Sequence, residues 1–177
     1  EEARLNDTIT RAEMAKVLTV FVSNSLSPSS QQSGSNNTIG GLSSPKFLAA
    51  LLRNSVLLSG STSNAPKRSQ CTAFSDLNQT NAELQSYIIK ACKFGLMGYY
   101  SDGKTVKPAF SPNATITLAE VATTLSRILR ADSYQGTKQW RYHSHLLALQ
   151  KVGIIPYNVD PMQPELRGTL FAMLMKS

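Results

Sequence analysis

The sequence has few charged residues, few aromatic residues and no long apolar run. Charged residues make up 16% of the 177 residues, against about 25% in an average soluble domain, and such low charge is typical of many surface and secreted proteins. The aromatic share of 7% is enough for a hydrophobic core, so the composition excludes wholesale disorder. No apolar run approaches the about 20 residues that cross a bilayer, and we therefore expect no membrane-spanning helix.

Cysteine and histidine are also scarce, which argues against a metal centre. Cys71 and Cys92 have no histidine at ligand spacing, as a zinc site would need. His143 and His145 lie two residues apart in a predicted helix, where their side chains point about 200° apart and cannot share one metal. No nucleophile elbow, phosphate loop or zinc-protease string occurs in the sequence. We therefore predict no metal, no cofactor and no enzymatic activity.

Basic residues outnumber acidic ones by 18 to 11, which gives a formal net charge of +7. This balance favours an anionic partner, such as nucleic acid, an acidic glycan or a lipid surface. The longest basic cluster is only Lys67-Arg68, and no stripe of basic residues interleaved with aromatic ones occurs. Nucleic acid is therefore not the expected partner.

A stretch of low complexity interrupts the patterned parts of the chain. Residues 23–45 contain nine serines, three glycines and no charged residue. This composition cannot bury enough apolar surface to offset the entropy of ordering its backbone. A short helix is expected over residues 45–58, with Pro45 in its first turn and an apolar face that begins at Phe47. We interpret residues 23–70 as an insertion that contains this helix.

One pattern occurs three times in the sequence. The copies begin at Ile9-Thr10-Arg11-Ala12-Glu13, Ile116-Thr117-Leu118-Ala119-Glu120 and, in degenerate form, Leu166-Arg167-Gly168-Thr169. Each precedes apolar residues at helical spacing. In the first two copies a threonine and a glutamate stand three residues apart, as in a capping box, whose side chains satisfy free backbone donors at a helix N-terminus. The predicted caps are Thr10 with Glu13 and Thr117 with Glu120.

Each later copy has a second predicted helix upstream of the capped one. In the second copy this helix begins at a further predicted capping box, Thr80 with Glu83, and ends at Gly95. Gly153 matches Gly95 in the third copy. The unit is thus a helix, a glycine stop, a loop with proline and a capped helix. These helix–loop–helix repeats predict a mostly all-α fold in which each copy buries its apolar face against its neighbours.

The second copy resembles a repeat of the S-layer homology (SLH) family. The segments that carry the resemblance are Phe74-Ser75-Asp76, Ala91 to Gly98, Phe110-Ser111-Pro112 and Ile116 to Glu120. The resemblance implies a division into 1–22 (the C-terminal half of repeat 1), 23–70 (the insertion), 71–131 (repeat 2) and 132–177 (repeat 3). It also implies a pseudo-threefold spindle, in which one helix of each repeat joins a central bundle.

The function that this resemblance implies is that of an anchor at the cell surface. Such modules attach a surface protein non-covalently to an anionic secondary cell-wall polysaccharide or a peptidoglycan-linked polymer. The protein is then expected to be exported and extracellular, with its export signal outside these residues. In SLH repeats the arginine of the Thr-Arg-Ala-Glu string helps to bind an acidic sugar, which suits a guanidinium because it forms two parallel hydrogen bonds with a carboxylate.

Four residues are candidates for contact with the acidic glycan: Arg11, Arg167, Asp76 and Trp140. For the two arginines, a solvated first-turn position or a salt bridge between repeats is the alternative. For Asp76 the alternative is capping of the turn that follows it. Trp140, like Tyr100 and Tyr142, could stack on a sugar ring or pack within the protein.

The three copies differ at the position of the arginine. Leu118 replaces it in the second copy, and Thr169 stands where the third copy should have its glutamate. At most two grooves are then equipped to bind a carboxylated sugar. This loss and the long polar insertion favour a second hypothesis, in which the chain is a structural subunit that self-associates into an S-layer or an extracellular envelope filament.

The two cysteines are expected to form a disulfide. An exported chain meets an oxidising environment, and two cysteines without metal partners are then a natural pair. Cys71 lies just before the Phe74 segment, and Cys92 lies on the apolar side of the helix against which that segment must pack. Two buried free thiols are the alternative.

Overall fold

The computed structural model describes residues 4–26, 68–100, 105–130 and 141–177. These ranges are mostly helical and contain only isolated bridges instead of strands, so the predicted mostly all-α class is confirmed. The α-helices are α1 (Arg11–Leu26), α2 (Ala82–Lys93), α3 (Leu118–Arg130), α4 (Arg141–Lys151) and α5 (Arg167–Lys176). Short 3-10 helices span Arg68–Thr72 and Leu77–Gln79. The helix expected over residues 45–58 and Trp140 lie outside the described residues.

Helix α1 extends further than the repeat pattern suggests. It continues to Leu26, beyond the boundary placed after residue 22. Serine and asparagine are only moderately unfavourable inside a helix, and no glycine or proline occurs before Pro28. The serine-rich composition that starts at Ser23 therefore does not end the helix there.

Helices α1 and α3 both begin with a capping box. Thr10 N donates to Glu13 Oε2 over 2.9 Å, and Glu13 N donates to Thr10 Oγ1 over 3.3 Å. In α3, Thr117 N donates to Glu120 Oε2 over 3.1 Å, and Glu120 N donates to Thr117 Oγ1 over 3.3 Å. Each glutamate thus satisfies its helix start with one carboxylate oxygen and leaves the other oxygen for a second partner.

The capping box expected at Thr80 and Glu83 is wrong. Asn81 is the N-cap of α2, and its Oδ1 accepts a hydrogen bond from Leu84 N over 2.9 Å. Asparagine caps a helix at least as well as threonine, so the helix begins one residue later than the pattern suggested. Glu83 instead forms an ion pair with Lys16 of α1 at 2.7 Å.

A closed ring of three backbone hydrogen bonds joins the starts of the three copies. Ile9 N donates to Glu165 O over 3.0 Å, Glu165 N donates to Ile116 O over 2.8 Å, and Ile116 N donates to Ile9 O over 3.2 Å. Each of these residues stands two positions before the first residue of α1, α3 or α5. Because each residue both donates and accepts, the three copies fix one another's register.

Next to this ring, the first N–H groups of α1, α3 and α5 are each satisfied by another copy. Hydrogen bonds of 2.9–3.1 Å run from Arg11 N to Ala114 O, from Leu118 N to Gln163 O, and from Arg167 N to Asp7 O. The helix start of the first copy therefore donates to the second copy, that of the second to the third, and that of the third to the first. These bonds occupy donors that a helix start otherwise leaves unpaired.

Glu165 is the polar member of the ring, at the position that isoleucine takes in the other two copies. Its side chain is only 1% exposed. One carboxylate oxygen accepts a hydrogen bond from Leu166 N over 3.0 Å, but the other is buried and has no hydrogen-bond partner among the described residues. A buried oxygen without a hydrogen-bond partner destabilises the folded state. The third copy therefore has an unsatisfied polar atom at the ring.

The predicted apolar stripes of all three copies lie in one hydrophobic core. Helix α1 packs against α2, and α3 packs against α4. The fully or almost fully buried members of the stripes are Met14, Leu18, Val121, Leu125, Ile128, Leu170, Met173 and Leu174, with Val17 and Phe21 half-buried beside them. Their shared burial is the main stabilising contribution to the assembly.

One face of α5 is open although the equivalent faces of α1 and α3 are buried. The equivalent pairs are Ala15 and Thr19 on α1, Ala122 and Ser126 on α3, and Phe171 and Met175 on α5. The first two pairs are small and buried, whereas Phe171 is 47% exposed and Met175 is 78% exposed. On α3 this face meets α4, because Ser126 Oγ lies 3.1 Å from His145 Nδ1. Helix α5 therefore presents a large apolar surface where the other helices are covered.

The predicted disulfide is present and ties the first 3-10 helix to α2. Cys71 and Cys92 are bonded, with their Cα atoms 5.6 Å apart, and both are fully buried. Tyr99 packs against the pair and donates a hydrogen bond to Cys92 O over 2.7 Å. Gly98 (φ 88°) fits there because a Cβ atom would lie 2.7 Å from a ring carbon of Phe74. The segment after α2 is thus fixed against the disulfide.

Candidate ligand-binding groove

An open groove with a volume of about 440 Å³ lies beside the start of α3. Its walls come from α3, α4 and the segment that follows α2. Arg11 reaches the groove from α1, and Met162 reaches it from the loop before α5. All three copies therefore contribute to one concave surface, which is the usual form of a ligand site.

The guanidinium group of Arg11 is held in a fixed position at this groove. Its Nε donates to Phe110 O over 2.9 Å, and its Nη1 donates to Glu120 Oε1 over 2.5 Å. The group also lies over the ring of Phe110, 5.2 Å from the ring centre, in the arrangement of a cation–π contact. The side chain is 11% exposed. Arg11 is therefore not the freely solvated first-turn residue that one alternative allowed.

The carboxylate of Glu120 serves two partners. Oε2 caps α3 through Thr117 N, while Oε1 forms the ion pair with Arg11. Glu13 repeats this arrangement: Oε2 caps α1 through Thr10 N, and Oε1 pairs with Arg167 Nη2. Each glutamate thus joins its own helix start to the arginine of a neighbouring copy.

We call the arginine–glutamate contact between two copies a joint. Arg167, the second predicted glycan contact, lies at a different joint from Arg11. It pairs with Glu13 between the third and first copies, and it does not line the groove among the described residues. The salt bridge between repeats, which was the alternative for both arginines, is present at both. Only Arg11 combines this bridge with a place in the groove.

The third joint, between the second and third copies, lacks both partners of such a pair. The residues that stand at the equivalent positions, where the arginine and the glutamate of this third pair would be, are Leu118 and Thr169. Leu118 is buried, and Thr169 donates its hydroxyl to Leu166 O over 3.1 Å. The two sequence departures therefore belong to one joint. Loss of a single partner would leave a charge there without its counterion, which costs more than the loss of both.

Asp76 does not cap the turn that follows it, so the alternative of a capping role is wrong. The 3-10 helix Leu77–Gln79 has no side-chain cap from Asp76. Its carboxylate instead accepts hydrogen bonds from Phe110 N over 2.8 Å and Ser111 N over 2.7 Å. Because Phe110 O accepts from Arg11, Asp76 supports the segment that holds the arginine and does not line the groove among the described residues.

The remaining polar lining of the groove is mostly basic and aromatic. Lys107 and Arg127 add positive charge, and Glu120 is the single carboxylate in the lining of the described residues. Tyr100 and Tyr142 lie in the wall as well. The sequence reasoning missed Lys107 and Arg127, although Arg127 stands seven residues after Glu120 and so lies on the same face of α3.

His145 is a buried member of the groove wall. It is 3% exposed, and its Nδ1 lies 3.1 Å from Ser126 Oγ. Burial first, and then the nearby charge of Arg127, lower the pKa of His145 below its ordinary value of 6.5. The exposed His143 lies on the other side of α4, as the two-residue spacing requires. His145 is thus packed within the protein, between α3 and α4.

Acidification should therefore destabilise the protein through His145. Below pH 6.5 the unfolded chain takes up a proton at this position before the folded chain does, so the free energy of unfolding falls as the pH drops. The slope from this group is at most about 1.4 kcal/mol per pH unit. Urea unfolding between pH 7.5 and about 5 measures it. His145→Gln should remove this component of the slope, and His143→Gln is the control that should retain it; equal slopes in both variants would contradict the assignment.

Residues 73–122 match the family model described as the S-layer homology domain. The protein contains an S-layer homology domain. The match covers α2, the Phe110 segment and the capping box of α3, and it includes the groove-lining residues Leu96 to Tyr100, Lys107 and Glu120. Neither a search of curated proteins nor a search of solved structures returned a match.

The SLH domain at residues 73–122 supports a cell-surface module that binds cell-wall polymer in general. SLH domains are non-enzymatic binding modules. Association with the cell surface or cell wall follows from the same domain. Within the described ranges, no helix is both long and apolar enough to cross a membrane.

Proposed function

We propose that the groove beside Arg11 binds an acidic saccharide of the cell wall, and that this binding anchors an exported surface protein non-covalently. The observation that carries the proposal is the position of the Arg11 guanidinium group. Its contacts with Phe110 and Glu120 fix it in the lining of a groove. A fixed guanidinium loses little conformational entropy on binding, and it matches the geometry of a sugar carboxylate.

The rest of the lining suits the same class of ligand. Lys107 and Arg127 add positive charge to the groove, which concentrates anionic polymer before contact. Tyr100, which is exposed, and Tyr142, which is half-buried, offer aromatic surfaces on which a sugar ring can stack. Together these side chains provide charge, hydrogen-bond donors and flat apolar surface.

We also propose that the three copies form the pseudo-threefold spindle of SLH modules. The ring through Ile9, Ile116 and Glu165 supports this arrangement, as do the equivalent bonds at the starts of α1, α3 and α5. The domain division that we propose with it is 1–22 (the C-terminal half of repeat 1, whose helix α1 continues to Leu26), 23–70 (the insertion), 71–131 (repeat 2) and 132–177 (repeat 3). In this arrangement Arg167 serves mainly as a joint residue, and a second binding site beside it remains a prediction.

Replacing Arg11 by alanine should weaken binding to the wall polymer by about 1.5–3 kcal/mol, the range for hydrogen bonds to charged groups. The dissociation constant should then rise by about 10-fold to 150-fold. Retention on purified cell-wall sacculi, before and after chemical removal of the secondary polymer, measures the effect. Arg4→Ala removes the same charge at a side chain that is 72% exposed, and this control should bind as the parent does.

The dependence on salt gives a second readout of the same contact. Parent binding should weaken as ionic strength rises, because the contacts are ionic and partly exposed. If Arg11→Ala folds normally and is retained as well as the parent, the proposed site is wrong. If the parent binds stripped and unstripped sacculi equally, the secondary polymer is not the ligand.

A second candidate function is self-association into a surface layer or an envelope filament. The observation that favours it is the open face of α5, where Phe171 and Met175 are exposed although the equivalent faces of α1 and α3 are buried. An exposed apolar surface of this kind often marks a protein interface. Concentration-dependent sheets or fibres formed without wall material would support this function over anchoring.

A further inference from the structure

We infer that Glu120 is an internal competitor for Arg11 and thereby sets how strongly the groove binds an acidic ligand. The inference rests on the proposed function, because it requires a carboxylated ligand in the same groove. It goes beyond that function by assigning an opposing role to a residue of the groove itself. It follows from the position of Glu120, its solvent exposure and its role at the start of α3.

The carboxylate of Glu120 occupies the place of an acidic ligand. Its Oε1 accepts a hydrogen bond from Arg11 Nη1 over 2.5 Å, and both residues line the groove. Arg11 Nε is already bound to Phe110 O. A guanidinium has five N–H donors in a fixed fork. An incoming carboxylate must therefore either share Arg11 with Glu120 or displace Glu120 from Nη1.

Displacement is feasible because the two carboxylate oxygens of Glu120 have different partners. Its side chain is 42% exposed, whereas that of Arg11 is 11% exposed, so water can solvate the carboxylate when it leaves the arginine. Its Oε2 can remain on Thr117 N, where it caps α3. The helix start therefore does not have to open when Oε1 exchanges its partner.

The negative charge of Glu120 opposes an acidic ligand even without displacement. Glu120 is the single carboxylate in the groove lining of the described residues, and like charges at close range repel. Glutamine at this position would remove the charge while keeping an acceptor for Thr117 N, because a capping box accepts either glutamate or glutamine. The variant Glu120→Gln therefore separates the electrostatic role from the capping role.

Glu120→Gln should bind the acidic ligand about 3-fold to 10-fold more tightly than the parent. Two probes are suitable: unstripped sacculi and a soluble trigalacturonate, with maltotriose as the neutral counterpart. The gain should appear with the two acidic probes and not with maltotriose. Glu83→Gln is the matched control, since it removes one negative charge from an exposed ion pair with Lys16 outside the groove, and it should bind as the parent does.

A measurement on the parent protein keeps the inference testable if Glu120→Gln folds poorly. Addition of trigalacturonate should shift the side-chain carboxyl carbon resonance of Glu120 and leave that of Glu83 unchanged. Glu83 also forms an ion pair, with Lys16, but lies outside the groove lining of the described residues. An unshifted Glu120 resonance at saturating ligand would overturn the inference.

The outcomes also separate this inference from the proposed function. Equal or weaker acidic binding by Glu120→Gln, together with lost binding by Arg11→Ala, would mean that Glu120 only positions the arginine. The inference would then be wrong and the proposed function would stand. Unchanged acidic binding by Arg11→Ala would contradict both. Tighter binding of maltotriose by Glu120→Gln would also contradict the inference, because the effect would not depend on ligand charge.

Discussion

Replacing Leu125 by alanine should lower the free energy of unfolding by about 2–5 kcal/mol, the range for a large aliphatic side chain in a close-packed core. Leu125 lies on α3 and is fully buried. Its equivalents, Leu18 on α1 and Leu174 on α5, belong to the same core. Truncation therefore leaves a cavity where the copies meet. Urea denaturation of the parent and the variant measures the loss.

Leu147→Ala is the control for this prediction. Leu147 lies on α4 and is 36% exposed, so its truncation loses less buried surface and should cost about 1 kcal/mol, clearly less than truncation of Leu125. A loss below about 0.5 kcal/mol for Leu125→Ala would show that the three stripes do not share one core. The alignment of the copies would then be wrong.

Removing the disulfide should lower the free energy of unfolding by about 3 kcal/mol in the chain-entropy model. The bond closes a loop with a sequence separation of 21 residues, and both sulfurs are fully buried. Without the bond, the unfolded chain gains conformations that the cross-link now excludes. The double variant Cys71→Ala/Cys92→Ala avoids burial of a new polar group and is the form to compare with the parent in urea.

The reduced parent is the companion measurement for the disulfide. Treatment with a thiol reductant should shift its unfolding midpoint toward that of the double variant, whereas the double variant itself should not respond to reductant. A difference below about 1 kcal/mol between the parent and the double variant would contradict the prediction. It would mean that packing around Tyr99 and Phe74 already fixes the segment after α2.

The features predicted well from the sequence are those that short-range patterns determine. The capping boxes of α1 and α3 depend on residues three positions apart, and the apolar stripes depend on helical spacing. The same local reasoning missed the cap of α2, because Thr80 and Asn81 are adjacent and both are suitable N-caps. It also placed the boundary after residue 22 inside α1, since composition alone does not show where a helix loses its packing partners.

Contacts between distant residues could not be predicted from one sequence. Arg11 and Glu120 are 109 positions apart, and no local pattern links them. Leu118 and Thr169 stand where the two partners of one ion pair would be. This relation becomes clear only from the structure, where the ion pairs between the other copies show which positions face each other. Asp76 was assigned to the wrong partner for the same reason, because its actual partners, Phe110 N and Ser111 N, lie more than 30 residues away.

The most direct test of the central claim is a nuclear magnetic resonance titration of the parent protein with purified secondary wall polymer. Anchoring through the Arg11 groove predicts that the largest shifts occur at the side-chain Nε–H of Arg11 and at the backbone amides of Gly98 and Thr123, which line the groove. It also predicts that the exposed face of α5 around Phe171 and Met175 stays unchanged. Shifts confined to that face, or no shifts at saturating polymer, would contradict the account.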